Sequence, residues 1–547
     1  MSNDGAHLPS SLFPLPFLVI LLASFAVVAP FFHYGIPSGH DFEFHVNSWM
    51  ETAAQWRQGI WYPRWAEGAH YGYGEARFIF YPPISWMLGA ALGSVLPWKL
   101  APGAYVWLVL TLSGCAMFAL ARQYLRLRHA IFAAALYAVN PYHIVIVYWR
   151  SAYAELLAAA LLPLLLLSAL RMESGGRRMV VPLGLIVAAA WLINAPSAVM
   201  VNYSLALLVV LMAVTLRAPR FLWYGLLAIT LGAALAAFYL VPATYEQKWV
   251  DIGQVLSAGV RPQDNFLFHE LNDPLHNVFN FFVSLVALAE IAIMALASIR
   301  WRRWQQQMPG AWGLLAAWSV AAALLMCSFT SLAWQHLPKL RFMQLPWRWL
   351  LCLNVGFALL VCAAWKHWLS RLAVVAAMLG VLALGWHWLQ TPWWDNTLDI
   401  AELHENIRTG IGYEGTDEYV PLGADPYEIH QDARRVTFEG QGADQIHVLQ
   451  WAAESKMLTA TVSAPGKLVL RLFNYPAWKV EVNAQAVAAQ TREVTGQMMI
   501  PVQPGENRVR ILFTRTWDRT FGGWISGATV LILAGAFVFR KMPKQPA

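Results

Sequence analysis

The segment Gly39-His40-Asp41-Phe42-Glu43-Phe44-His45 gathers two carboxylates and two imidazoles in one short stretch. Carboxylates at alternate positions can deprotonate a hydroxyl or hold a divalent cation, so Asp41 and Glu43 are candidate catalytic residues and candidate metal ligands. His40 and His45 flank them as candidate substrate contacts. The competing reading is a solvated loop whose charges anchor a membrane interface.

The following residues include Tyr62-Pro63-Arg64-Trp65, Tyr71-Gly72-Tyr73-Gly74-Glu75-Ala76-Arg77 and Phe80-Tyr81-Pro82-Pro83. Aromatic faces and guanidinium groups together suit a sugar phosphate, which makes Arg64, Tyr71 and Tyr81 candidate binding residues. An aromatic belt at the bilayer surface would use the same residue types. A second acidic point lies in Arg150-Ser151-Ala152-Tyr153-Ala154-Glu155. Glu155 opens an apolar helix, where an unpaired carboxylate is costly, so it calls for Arg150 or a ligand as its partner. Stabilisation of a helix N-terminus is the alternative. In Leu345-Pro346-Trp347-Arg348-Trp349 an arginine stands at the mouth of another apolar run, where its planar, permanent charge suits a phosphate. Snorkelling to the interface competes as an explanation.

These residues are set among elements that must lie in a bilayer. Of 547 residues, 58% are hydrophobic and 13% charged, against about 25% charged in soluble domains. Stretches near the length of about 20 apolar residues needed to span a membrane occur at 11–32, 103–121, 130–148, 153–170, 179–194, 198–216, 221–241, 277–299, 311–329, 348–365, 372–390 and 521–540. That predicts 12 spans. The first lacks a basic segment before it and is too long for a cleaved leader, so it is expected to be retained.

Arg and Lys clusters orient the spans. Arg122, Arg126 and Arg128; Arg171, Arg177 and Arg178; Arg217 and Arg220; Arg300, Arg302 and Arg303; Lys366 and Arg371; and Arg540, Lys541 and Lys544 all fall on one side if both termini are cytoplasmic. This places residues 82–97 as a juxtamembrane or re-entrant helix and residues 33–102 as a long external loop. Residues 391–520 form a second external region, irregular to about 431, with period-two alternation thereafter at 445–451, 457–462, 467–473, 478–482, 498–502 and 508–513. Turn residues separate these runs, predicting an antiparallel β-sandwich. The expected organisation is a transmembrane domain at 1–390, an external domain at 391–520, and a final span with a basic tail at 521–547.

The net charge of +7 is spread over these clusters and forms no basic face for nucleic acid. Cys115, Cys327, Cys352 and Cys362 all lie in apolar runs, which leaves the β region without thiols for disulfides or metal. There is no Walker-type glycine loop, dinucleotide fingerprint or HExxH.

Asp41-Phe42-Glu43, Tyr71-Gly72-Tyr73-Gly74 followed by Phe80-Tyr81-Pro82-Pro83, and the 150–155 segment resemble the bacterial membrane proteins called 6-pyruvoyl-tetrahydropterin synthase-related. Asp417-Glu418-Tyr419-Val420-Pro421, Tyr475-Pro476-Ala477-Trp478-Lys479-Val480 and Gly505-Glu506-Asn507-Arg508-Val509 resemble the external module of YfhO-like proteins. The zinc-bound histidines and small α+β fold of the soluble pterin synthase are not displayed. A wider similarity runs to GT-C glycosyltransferases, in which an acidic motif in the first external loop sits beside a juxtamembrane Pro-Pro helix.

The resemblance implies a polytopic α-helical, GT-C-like protein of the bacterial inner (plasma) membrane with an external C-terminal β-sandwich. It further implies a polyprenyl-phosphate sugar donor, a glycan, lipid or protein acceptor, and Asp41 as general base. Glu43 would assist or bind a divalent cation, Glu155 would be the second acidic position, Arg348 would meet the donor phosphate, and Arg150 would join the binding residues. The rival is a non-catalytic protein that binds, flips or assembles lipid-linked glycans.

Overall fold

The computed structural model describes residues 14–300, 309–442 and 444–541. Residues 11–13 of the first apolar run, Arg302, Arg303 and Lys544 lie outside the described residues. Among those described, 10 helices are long and apolar enough to cross a membrane. Two bent pairs, Arg220–Leu235 with Ala237–Trp249 and Gly310–Leu325 with Ser328–His336, raise the number to 12 if each is one span. The chain is thus a polytopic helical membrane protein, and each predicted run finds its helix. The segment placed beside the membrane forms helix Pro83–Val95. At 1.5 Å per residue it reaches about 20 Å, well short of a hydrocarbon core of about 30 Å.

The chain divides into two compact units. One comprises Met1–Phe42, Leu100–Thr230 and Ala258–Asn396; the other comprises Glu43–Lys99, Leu231–Ser257 and Thr397–Ala547.

The first unit is helical, and its innermost element is the span Pro346–Ala364, 94% of which is buried. Lipid is as apolar as leucine, so its helices associate through close packing and polar contacts rather than by excluding water. Gly114 provides the first kind: a Cβ there would lie 2.5 Å from Ile20. Asn354 Nδ2 provides the second by donating to Asn140 Oδ1 at 2.8 Å, and Trp318 Nε1 by donating to Ser204 Oγ at 2.8 Å.

The second unit carries the β structure. Its strands are β1 (Val436–Gly440), β2 (Asp444–Ala452), β3 (Ser455–Val462), β4 (Gly466–Phe473), β5 (Trp478–Val482), β6 (Gln485–Val487), β7 (Gln490–Thr491), β8 (Gln497–Val502) and β9 (Gly505–Phe513). They pair antiparallel in a sheet ordered β1-β4-β8-β7 and another ordered β2-β3-β9-β5-β6. Alternation is plain in β3, where Lys456, Leu458, Ala460 and Val462 are buried. The core between strands also takes Trp65 and Tyr73 from the first loop, packed with Leu470, Ile500 and Ile511. In the same unit, Arg519 at the start of helix Trp517–Lys541 grips Glu246 through two nitrogens, each at 2.7 Å.

Two helices stand where the sequence suggested loop. Phe42–Arg57 buries Trp49, Met50 and Ala53, and Thr397–Thr409 buries Ile400. In Phe42–Arg57 the apolar residues are interleaved with polar ones that are themselves buried, among them Asn47, Ser48, Glu51 and Gln55, and Thr397–Thr409 is mostly polar, so neither displays a continuous hydrophobic run. Strands β1, β6 and β7 were likewise not anticipated; β6 and β7 have only 3 and 2 residues, too few to show a period.

Candidate functional site

The position of Asp41 is set by backbone. Helix Pro14–Val28 and the short helix Phe31–Tyr34 end at Gly35, whose φ of +100° belongs to glycine and whose Cβ would collide with the Asp395 carbonyl at 2.4 Å. Ile36 and Pro37 then pair with Asp395 and Trp394. On the facing chain, helix Pro141–Val145 loosens into a π-helical turn at Ile146–Arg150 and stops at Ser151 with φ +50°. Such turns leave carbonyls without an intrahelical donor. They are taken by the Gly39–Asp41 segment: His40 N donates to Trp149 O at 3.3 Å and Asp41 N to Arg150 O at 2.8 Å. Gly39 N donates to Ser151 Oγ at 3.0 Å, and Ser151 Oγ donates to Pro37 O at 2.9 Å.

The side chains form one ionic network within the first unit. Arg150 Nη2 lies 3.5 Å from Asp41 Oδ2, and its Nη1 lies 2.5 Å from Glu155 Oε2. Arg348 Nε donates to the same Glu155 oxygen at 2.9 Å, while Tyr142 OH donates to Oε1 at 2.6 Å. Arg348 Nη1 also donates to Met343 O at 2.5 Å and Gln344 Oε1 at 3.1 Å. Gln344 is itself held at φ +64°, a backbone strain of the kind found at functional sites. Two arginines thus face two carboxylates, the pairing that buried charge requires. The Arg150 guanidinium lies 4.8 Å over the Trp347 ring, and Trp347, Phe279 and His40 continue as a line of ring contacts.

The two carboxylates differ in availability. Glu155 is 2% exposed and both its oxygens accept bonds, so it is buried against Arg150, Arg348 and Tyr142 and orients the two arginines. Asp41 is 41% exposed and touches Arg150 at a longer distance. It is the carboxylate that could accept a proton.

The other candidates, Glu43, His45, Arg64, Tyr71 and Tyr81, belong to the second unit. Glu43 is exposed in the first turn of helix Phe42–Arg57. Asp41 lies in the turn that precedes this helix, so the alternation that suggested a paired Asp41 and Glu43 is not that of a strand. Among the described residues, no group of three or more His, Cys, Asp or Glu side chains could hold a metal ion. His45 is buried with Tyr81 5.9 Å away, Arg64 lies 4.1 Å over Tyr62, and Tyr71 has φ +54°.

The second unit has ionic groups of its own that the sequence did not single out. Glu75 is 2.5 Å from Arg77 Nε and 3.0 Å from His70, and accepts from Thr416 N at 2.8 Å. Burial raises its pKa, but the Arg77 charge and the His70 and Thr416 bonds outweigh it and hold the group down at about 2. Glu51 accepts from Tyr413 OH and, at 2.9 Å, from Gly68 N, yet burial pushes it up to about 7. A separate cleft of about 700 Å³ lies beside β5, with Trp249, Tyr475, Lys248, Lys479 and Asn474 in its wall. The signal for the Glu75–Arg77 pair was present in the Tyr-Gly-Tyr-Gly-Glu-Ala-Arg run, where the aromatics drew the functional reading.

A family model for the 6-pyruvoyl-tetrahydropterin synthase related domain, described as a membrane protein, matches residues 78–391, more than half of the chain. No curated protein matches it.

Proposed function

The chain belongs to the 6-pyruvoyl-tetrahydropterin synthase related family of membrane proteins, and we propose that it is a GT-C-type glycosyltransferase of the bacterial inner membrane. It moves a sugar from a polyprenyl-phosphate donor to a hydroxyl acceptor on the external face. Asp41 takes the acceptor proton as the acceptor oxygen bonds to the anomeric carbon. The bond to the lipid phosphate breaks, and the phosphate leaves with the electron pair. Arg150 stabilises the charge of the departing phosphate, while Glu155, itself fixed by Arg348 and Tyr142, holds Arg150 in place.

The observation that carries this reading is the pairing of a half-exposed carboxylate with a buried arginine fixed from behind by a second acid. The test is incubation of the purified protein with a panel of polyprenyl-phosphate sugars, reading binding by thermal shift and product by mass spectrometry. A glycosylated product with one donor is the expected result. Binding without product from any donor would transfer support to the second reading, a binder, flippase or assembly factor for lipid-linked glycans. That reading is favoured by the saturation of Glu155, which suits a fixed recognition site as well as a reacting one.

A further inference from the structure

In the second unit a cleft of about 180 Å³ is lined by Arg435, Arg471, Gly72, Gly410 and Trp451. Arg471 Nη2 donates to Gly410 O at 3.1 Å. A Cβ on Gly410 would come within 3.0 Å of Arg435 Nη2, so both guanidinium groups meet at this glycine. Gly72 lies under the other, and a Cβ there would stand 3.2 Å from Arg471 Nε. That Nε is buried and has no hydrogen-bond partner among the described residues. The acids that share the wall are engaged elsewhere: Glu67 pairs with Lys456 at 3.4 Å, and Glu51 accepts from Tyr413 and Gly68. Arg408, also in the wall, is paired with Glu405.

Two arginines of like charge, brought together without an acid between them, repel unless an anion joins them. Burial and the neighbouring Arg435 charge both pull the Arg471 pKa down, as expected of two cations brought together. We propose that the Arg435–Arg471 cleft is a binding site for a phosphate monoester dianion. A carboxylate would neutralise one guanidinium, whereas a phosphate monoester carries about −1.5 to −2 at neutral pH and offers oxygens to both planar donors. At about 30 Å³ per water the cleft holds roughly six waters, which is room for a phosphoryl group and the first atoms attached to it. Gln55 also belongs to this wall, and its Oε1 is buried without a hydrogen-bond partner among the described residues.

The phosphate could be free in solution or carried by a lipid, and the test separates the two. The purified full-length protein in detergent is titrated with inorganic phosphate by calorimetry, and in a second arm with nanodiscs containing polyprenyl phosphate. Saturable binding in either arm, weakened at least about tenfold by Arg435→Gln and Arg471→Gln, supports the site, and the tighter arm names the source. Arg435 is exposed, so Arg435→Gln is expected to fold and preserves the comparison should Arg471→Gln be unstable. Affinity unchanged in Arg435→Gln, or no saturable binding by the wild type in either arm, overturns the proposal.

Discussion

The backbone amide of Gly39 donates to Ser151 Oγ at 3.0 Å, and this bond ties the chain leaving the first span to the left-handed turn that ends the third. A side chain at Gly39 would begin 2.3 Å from the Trp149 carbonyl. The fit is therefore set by backbone and cannot be relieved by a rotamer change. Gly39→Ala is expected to cost about 1–3 kcal/mol and to displace Asp41 from Arg150. The measurement is the thermal midpoint together with transfer activity. A variant with native stability and native activity would show that the segment adapts.

Glu155 answers to two arginines and a tyrosine in a buried setting. Removing its charge in Glu155→Gln leaves Arg150 and Arg348 without their shared anion, a loss on the order of 3–5 kcal/mol. The exposed pair of Asp41 with Arg150 is worth under about 1 kcal/mol. Thermal unfolding followed by tryptophan fluorescence should therefore rank Glu155→Gln far below Asp41→Asn. Equal midpoints would mean that the network contributes little to the fold.

In the second unit the acids predict a stability that depends on pH. Glu51 holds its proton more tightly when folded, with a pKa raised to about 7 by burial. Its contribution is full below the unfolded value near 4.5 and is lost as pH rises from there to about 7, amounting to about 3 kcal/mol. Glu418, also pushed up to about 7 by burial, acts in the same direction. Glu75 does the reverse: its contribution is present above about 4.5 and is lost as pH falls towards 2. Melting curves of wild type and Glu51→Gln across pH 4.5 to 7 should diverge, the variant losing less stability. Parallel curves would contradict the assignment to Glu51.

Glu290 is buried in the span Pro274–Arg300, and neither carboxyl oxygen has a hydrogen-bond partner among the described residues. An unpaired polar group at such depth is costly. Glu290→Met should raise stability by about 1 kcal/mol or more, seen as a higher thermal midpoint. A lower midpoint would reveal a partner that Glu290 needs.

Much of this architecture was legible. Long apolar runs punctuated by arginine disclosed the spans, and strict alternation disclosed strands such as Trp478–Val482. Helix Phe42–Arg57 escaped because polar residues such as Asn47, Glu51 and Gln55 are buried beside Trp49 and Ala53 and interrupt any apolar period. At the site, Arg150 and Glu155 were readable as partners because they are close in sequence and a buried acid must be paired. That Arg348 would reach the same acid across 193 positions, or Tyr413 reach Glu51 across 362, depends on tertiary packing and has no local signature. The aromatic first loop misled for a related reason: Trp65 and Tyr73 have the composition of a binding wall but fill the core of the β structure.

The most direct test of the proposed chemistry is the initial rate of sugar transfer by Asp41→Asn, measured with the donor that the wild type accepts and with folding verified by its melting curve. Loss of the base should slow transfer by about 10²–10⁴-fold with little change in stability. A rate close to that of the wild type would contradict the role assigned to Asp41.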